Sequence, residues 1–230
     1  MKRTAIALIA FMALPVMAAA PEFAMELGWD SKYVSEGRNN LPQGGIAWAG
    51  ASATVGDVSA FALVGRADSE HFTEWNFGVE YQLHLHETLE AIVGVQRIEA
   101  YGDLRCSDNE LFAELAWTRW DYLVPSIAYT YNTEAGGYFV ELSLHSNWHL
   151  GEQVTLSPYL TQGFDFQYVT EAHNGANHLQ FGLEAAWAFA DNLTASAHVS
   201  RVIAGKDIEV DMGDEARDET FAGVRLAWAF

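Results

Sequence analysis

The sequence predicts an all-β fold: a transmembrane antiparallel β-barrel of about twelve strands, with ten or fourteen as the alternatives. Three observations predict it. Short segments alternate apolar and other side chains with a period of two, as a strand with one lipid-facing side must. The connections between them alternate between tight turns and long polar loops. The last eleven residues, Thr220 to Phe230, form one clean alternating strand that stops on an aromatic.

In that last strand Ala222, Val224, Leu226, Trp228 and Phe230 share one face, while Phe221, Gly223, Arg225, Ala227 and Ala229 share the other. Such a strand, ending on an outward Phe, resembles the closing strand of bacterial outer-membrane β-barrels. The resemblance implies a partner, the barrel-assembly machinery, which reads the terminal aromatic, here Phe230.

The first residues look like an address. Lys2 and Arg3 precede an apolar run, Ala5 to Met17, too short to span a bilayer comfortably. Small residues follow at Ala18, Ala19 and Ala20. Residues 1–20 therefore read as a secretory signal peptide and 21–230 as the barrel domain. Pro21 disfavours a cut directly after Ala20 and points to Val16-Met17-Ala18 instead. Removing Lys2 and Arg3 takes the formal net charge from −19 to about −21. So acidic a chain is unsuited to nucleic acid or to anionic phospholipid surfaces. One cysteine, Cys106, excludes an intramolecular disulfide. Half the residues are hydrophobic and eight are Trp, yet no later run is long enough for a transmembrane helix. An alternating barrel reconciles these facts; a soluble β-sandwich core is the alternative.

The expected strands follow in order: Phe23 to Gly37, Gly45 to Val55, Val58 to Gly65, Thr73 to Leu83, Leu89 to Ile98 and Glu110 to Trp120. Then come Leu123 to Tyr131, Gly137 to Leu150, Val154 to Phe164, His178 to Phe189, Asn192 to Ile203 and the closing strand. Tight turns are expected at Gly56-Asp57, His86-Glu87-Thr88, Asp121-Tyr122, Gly151-Glu152-Gln153 and Ala190-Asp191-Asn192, which carry the Gly, Asp and Asn that hairpins demand. Longer connections are expected at Arg38 to Gly44, Arg66 to His71, Glu99 to Asn109, Asn132 to Gly136, Asp165 to Asn177 and Gly205 to Glu219. Short turns at one end and long loops at the other match outer-membrane barrels, with the short end periplasmic.

An aromatic girdle is expected at the short-turn end from Trp117, Trp148, Trp187, Trp228 and Phe230, joined by Tyr81 and Phe189. Trp48 and Trp75 are expected in an outer girdle. The opposite face carries Glu80, Glu114, Glu141 and Glu184 near mid-strand, with His145, Tyr159, His198 and Arg225. A carboxylate facing lipid is expensive, so these residues are expected to line the lumen. They either form an acidic, cation-attracting pore or pair with inward cations such as Lys32 and Arg225 and plug it. About twelve strands lies between filled and open barrels, so size does not decide. Arg225, on the seam, is expected to meet Glu26 or Asp30.

The chemistry of an enzyme is weakly represented. Leu144-His145-Ser146-Asn147 superficially resembles the Ser, His and Asn of an outer-membrane phospholipase, but adjacent residues point to opposite faces. No catalytic residue is assigned. Asp207, Glu209, Asp211, Asp214, Glu215, Asp218 and Glu219 crowd the last loop without calcium-loop spacing, and read as a solvated loop. The pairs His173 and His178, and His84 and His86, lack further ligands at zinc spacing. No metal or cofactor is assigned, and Cys106 reads as an incidental loop thiol.

Asp30-Ser31-Lys32-Tyr33-Val34-Ser35-Glu36-Gly37 is similar to the opening element, D-x-K-Y-hydrophobic-x-x-G, of a family of small, mostly uncharacterised Gram-negative outer-membrane proteins that end on Phe. The resemblance covers the first and last strands, and implies location and fold but no substrate or catalytic residues. The expected function is a passive, porin-like channel for small polar or cationic solutes, embedded in outer-membrane lipid. The alternatives are a non-conducting barrel whose long loops bind a surface ligand, and a membrane-embedded lipid hydrolase.

Overall fold

A computed structural model describes residues 20–102, 105–213 and 218–230. The expected signal peptide lies outside the described residues, apart from Ala20, as do Asp214 and Glu215 of the last loop. The wall strands are β1 (Glu22–Asp30), β4 (Ile46–Val55), β5 (Val58–Ala67), β6 (Thr73–His86), β7 (Leu89–Tyr101) and β8 (Cys106–Trp117). They continue as β9 (Val124–Asn132), β10 (Gly137–His145), β11 (Trp148–Leu150), β12 (Val154–Phe166), β13 (Asn174–Ala190), β14 (Leu193–Ala204) and β15 (Glu219–Ala229). Two short strands, β2 (Val34–Ser35) and β3 (Arg38–Asn39), pair only with each other.

Each wall strand pairs antiparallel with its chain neighbour, and β1 pairs with β15 to close the ring. β10 and β11 both pair with β12, so they are one interrupted stave, and the wall is a closed barrel of twelve staves. The seam runs to the last residue: Phe23 N donates to Phe230 O at 3.0 Å, and Phe230 N to Phe23 O at 2.9 Å. Closure leaves no unpaired sheet edge, which a strand in hydrocarbon cannot tolerate.

The two faces differ as the alternation requires. On β6, Trp75, Phe77, Val79 and Tyr81 are exposed on the outside, while Glu74 and Asn76, which alternate with them in sequence, are buried inside. The interior is therefore polar, with one small apolar cluster of Tyr33, Leu41, Ile46 and Ala67, flanked by Trp48 and Phe72, near the long-loop end.

The first expected strand is too long. β1 stops at Asp30, and the chain then turns inward instead of following the wall. Residues 34–39 form the β2–β3 hairpin, whose central residues Glu36 and Gly37 have φ of 41° and 75°. Positive φ at both positions is what a two-residue type I′ turn requires. Tyr33, within the expected first strand, is 4 % exposed and inside the barrel.

Other boundaries shift for local reasons. The expected strand Gly137 to Leu150 breaks at Ser146 and Asn147, because Asn147 N donates to Asp121 O at 2.6 Å, on the neighbouring turn, and leaves the ladder. The expected loop Glu99 to Asn109 is mostly wall: Cys106, expected in a loop, opens β8 opposite Ala100. The last loop contains a helix, α1 (Lys206–Met212), so the fold is not purely β. That loop is also not simply solvated, since Asp207 and Ile208 are buried.

Candidate functional site

Four of the sequence-selected carboxylates share the inner face. Glu114 on β8 and Glu141 on β10 both sit opposite Ala128 of β9. Two strand spacings separate their backbones by about 10 Å. Glu80, on β6 opposite Gly94, lies within Coulombic reach of Glu114, and Glu114 within reach of Glu141. Glu184 is apart from this arc, on β13 opposite His198 and Ser157. The acidic residues are thus an arc of three on one wall and one on another, rather than an even ring.

The wall near Glu184 is hydrogen-bonded. The ring of His145 stacks on Tyr159 at 5.6 Å, the Tyr159 and Ser200 hydroxyls are 2.6 Å apart, and Gln180 Nε2 donates to Tyr159 Oη at 2.8 Å. The His145 ring is thus engaged with Tyr159, while Ser146, next in sequence, lies in the strand break and accepts from Trp148 Nε1 at 2.8 Å. Arg225 Nη1 and Nη2 donate to Asp30 Oδ1 and Oδ2 at 3.1 and 2.6 Å. His198 Nε2 stands 3.6 Å from Asp30 Oδ1, and Trp48 Nε1 donates to Asp30 Oδ2 at 2.9 Å. Trp48, expected in an outer girdle, therefore faces inward. Lys32, expected inward on the first strand, lies past its end and donates to Glu219 at 2.6 Å.

At the short-turn end, Trp148, Trp187, Trp228 and Phe230 are exposed, and Trp117 is half-buried. Neighbouring rings touch: Trp117 with Trp120 at 5.0 Å, Trp187 with Phe189 at 5.3 Å, and Trp228 with Phe230 at 4.9 Å.

The mouth at the long-loop end holds a second group that the sequence reading missed. The β2–β3 hairpin crosses it. Tyr33 Oη donates to Glu74 of β6 at 2.8 and 2.9 Å. At the far end, Gly37 packs so closely on His178 of β13 and on Ile208 of α1 that no Cβ fits there. β6 and β13 are six staves apart in a ring of twelve, so the hairpin spans the diameter. Arg38 fastens its tip: it donates to Thr170 Oγ1 at 2.8 Å and lies 3.5 Å from both Asp207 and Asp211. Asn177 Nδ2 in turn donates to Asp207 at 2.5 Å. His178, expected to open a strand, is a buried residue of β13, which begins four residues earlier at Asn174.

Burial sets the protonation of the groups in this hairpin. It raises the Glu36 carboxyl well above the usual carboxylate range, with Glu110 adding repulsion. It likewise raises the hydroxyls of Tyr33 and of Tyr168, whose Oη donates to Glu110. In the sequence these residues read as a strand and two solvated loops; the one local signal was Glu36-Gly37 inside an otherwise strand-like run.

No protein-family model matches the sequence, and no curated protein does. Solved structures match by shape. The KdgM porin superposes with a TM-score of 0.63 over 90 % of this chain and 99 % of its own, at 9 % identity. The chain has the fold of that porin. The NanC porin gives 0.56 over 90 % and 98 % at 10 % identity. An outer membrane channel of Pseudomonas putida gives 0.55 over 95 % and 97 % at 10 % identity. One KdgM structure is a complex with disordered oligogalacturonate.

Proposed function

We propose that this chain is an outer-membrane barrel that passes small polar solutes passively, with a preference for cations. The observation that carries the reading is the inner arc of Glu80, Glu114 and Glu141 in a closed barrel with an apolar exterior. Carboxylates on the wall of a narrow wet passage attract cations and repel anions. The exposed Trp and Phe at the short-turn end suit the periplasmic interface, where amphipathic rings are comfortable. Phe230 is the residue we assign to the barrel-assembly machinery. The porins of the same fold are outer-membrane channels, and lend support to the location and to the channel reading. Oligogalacturonate is an anion, so the acidic arc argues for a different solute here.

Single-channel conductance of the refolded protein in a planar bilayer under a salt gradient tests this. The expected result is discrete conductance with a cation-selective reversal potential that Glu114→Gln and Glu184→Gln weaken. A correctly folded barrel with no conductance overturns it. One observation favours a second reading, a non-conducting barrel whose loops bind a ligand: the hairpin across the mouth. No conductance in either the native chain or a hairpin-deleted one selects that reading.

A further inference from the structure

The outer wall of the barrel carries a groove that a channel has no use for. Across β6, β7 and β8 the outward side chains fall into rows set by the register. Val79, Val95 and Leu111 form one row, and Phe77, Arg97 and Asn109 form the next row toward the long loops. With Thr133 these residues line a shallow groove of about 260 Å³. Its lower part is aliphatic, and Val79, Val95 and Leu111 are each about half exposed to the surroundings of the barrel. Its upper part holds the polar groups of Arg97, Asn109 and Thr133. A mostly apolar cleft with a few placed polar groups is the usual form of a small-molecule site.

Arginine collects above this groove. Arg97 donates through Nε to Glu99 Oε1 at 2.8 Å and through Nη1 to Asn109 Oδ1 at 3.0 Å. Arg97 Nη2 lies 2.6 Å from Glu99 and Arg105 Nη2 lies 3.9 Å from it, so two guanidinium groups converge on one carboxylate. The Arg105 guanidinium also stands over the Tyr101 ring, 4.8 Å from its centroid. Tyr101 is opposite Thr73, to which Arg66 of β5 donates at 2.6 Å. Among the described residues Glu99 is the one carboxylate within ion-pair distance of any of these three arginines. Positive charge is therefore left over on this face, in a chain whose formal net charge is −19.

A guanidinium on a lipid-facing wall is costly at the bilayer midplane and nearly free at the interface. The row of Arg97 thus marks the level of the lipid headgroups. Long loops face outward in such barrels, so these headgroups belong to the outer leaflet. We propose that the groove holds one molecule of the phosphorylated glycolipid of that leaflet. An acyl chain lies against Val79, Val95 and Leu111, and a headgroup phosphate is held by Arg97 and Arg105. A guanidinium fork matches the paired oxygens of a phosphate, and Arg97 keeps N–H donors beyond those given to Glu99 and Asn109. Two converging cations suit a phosphate monoester, which carries nearly two negative charges, better than the singly charged diester of a glycerophospholipid. Glu99 holds the two arginines side by side, and the Tyr101 ring supports Arg105. The inference rests on the outer-membrane location and is independent of conduction.

The test uses the refolded full chain in dodecyl maltoside, with folding confirmed by heat-modifiable migration. Native mass spectrometry counts the lipid retained after addition of diphosphoryl lipid A or of dilauroyl phosphatidylglycerol, each with and without inorganic phosphate. The expected result is one lipid A per barrel, undisplaced by inorganic phosphate, with phosphatidylglycerol held at least about fivefold more weakly. Arg105→Gln is expected to weaken retention of lipid A by about fivefold, the effect of one arginine beside an anionic headgroup. Val95→Trp, which fills the groove and leaves the arginines in place, is expected to weaken it by a similar factor. Arg201→Gln removes an outward arginine on β14, paired with Asp218 at 2.9 Å, and is expected to bind like the native chain. Equal retention of the two lipids, displacement by inorganic phosphate, equal losses in Arg105→Gln and Arg201→Gln, or native binding in Val95→Trp overturns the proposal. The comparison of the two lipids needs no variant, so it decides even where a variant fails to refold.

Discussion

Arg225 on β15 grips Asp30 on β1 with both terminal nitrogens, at 3.1 and 2.6 Å, across the seam that closes the barrel. Asp30 also accepts from Trp48, so its carboxylate is held from both flanks of β1. Removing the guanidinium leaves a buried carboxylate with the partly buried His198 at 3.6 Å and the like-charged Glu26 within Coulombic reach. Breaking one partner of a buried pair costs about 3–5 kcal/mol, and the partial exposure here places Arg225→Ala near the low end. Urea refolding followed by heat-modifiable migration measures it. An unchanged midpoint removes the seam pair from the account of stability.

Space for that pair comes from two glycines. A Cβ at Gly223 would collide with Asp30 Oδ1, and one at Gly28 with the Arg225 side chain. Backbone and ion pair both resist movement there. Gly223→Ala is expected to destabilise the barrel by about 1–3 kcal/mol, the usual cost of overpacking. If the variant refolds with the native urea midpoint, the seam has slack that the close packing denies.

The hairpin has few fastenings at its tip, and Arg38 makes most of the polar ones. Arg38→Ala frees the tip from Thr170, Asp207 and Asp211 while the wall stays intact. Single-channel recordings are expected to show larger or more frequent openings than the native chain, with an unchanged wall by circular dichroism. Identical recordings mean that the hairpin does not limit the current.

Glu36 supplies a pH dependence with a definite sign. Its carboxyl titrates above the ordinary 4.5 when the hairpin is seated, and near that value when it is released. Seating therefore favours the protonated form: its stability contribution is complete below about pH 4.5 and is lost as pH rises through the seated value. Conductance is expected to fall on acidification across that window, and Glu36→Gln, neutral at every pH, is expected to abolish the dependence on this group. A native-like pH profile in Glu36→Gln assigns the titration elsewhere.

The wall was legible because its physics is local and periodic. Trp75, Phe77, Val79 and Tyr81 announce a lipid face from spacing alone, and Gly151-Glu152-Gln153 or Gly56-Asp57 announce a turn. Arg225 could be paired with Glu26 or Asp30 in advance because a closed barrel must join its first and last strands. The mouth was not legible. Residues 31 to 37 continue the alternation of β1 closely enough to read as more wall, and only long-range contacts of Tyr33 with Glu74 and Gly37 with His178 pull them inside. The same holds for Asp207: seven acidic residues in one loop look solvated until Arg38 and Asn177 arrive from elsewhere in the chain. Loop insertion is decided by partners distant in sequence, to which a period-two pattern is blind.

The hairpin that joins β6 to β13 has a mechanical consequence as well. A hollow cylinder pressed from the side flattens along one diameter. Here one diameter carries a tie, anchored at Glu74 on one wall and against His178 on the other. Squeezing from surrounding lipid must therefore compress a packed peptide rather than an empty span, which keeps the cross-section round at that end. The opposite end depends for its shape on strand pairing and its belt of aromatic rings.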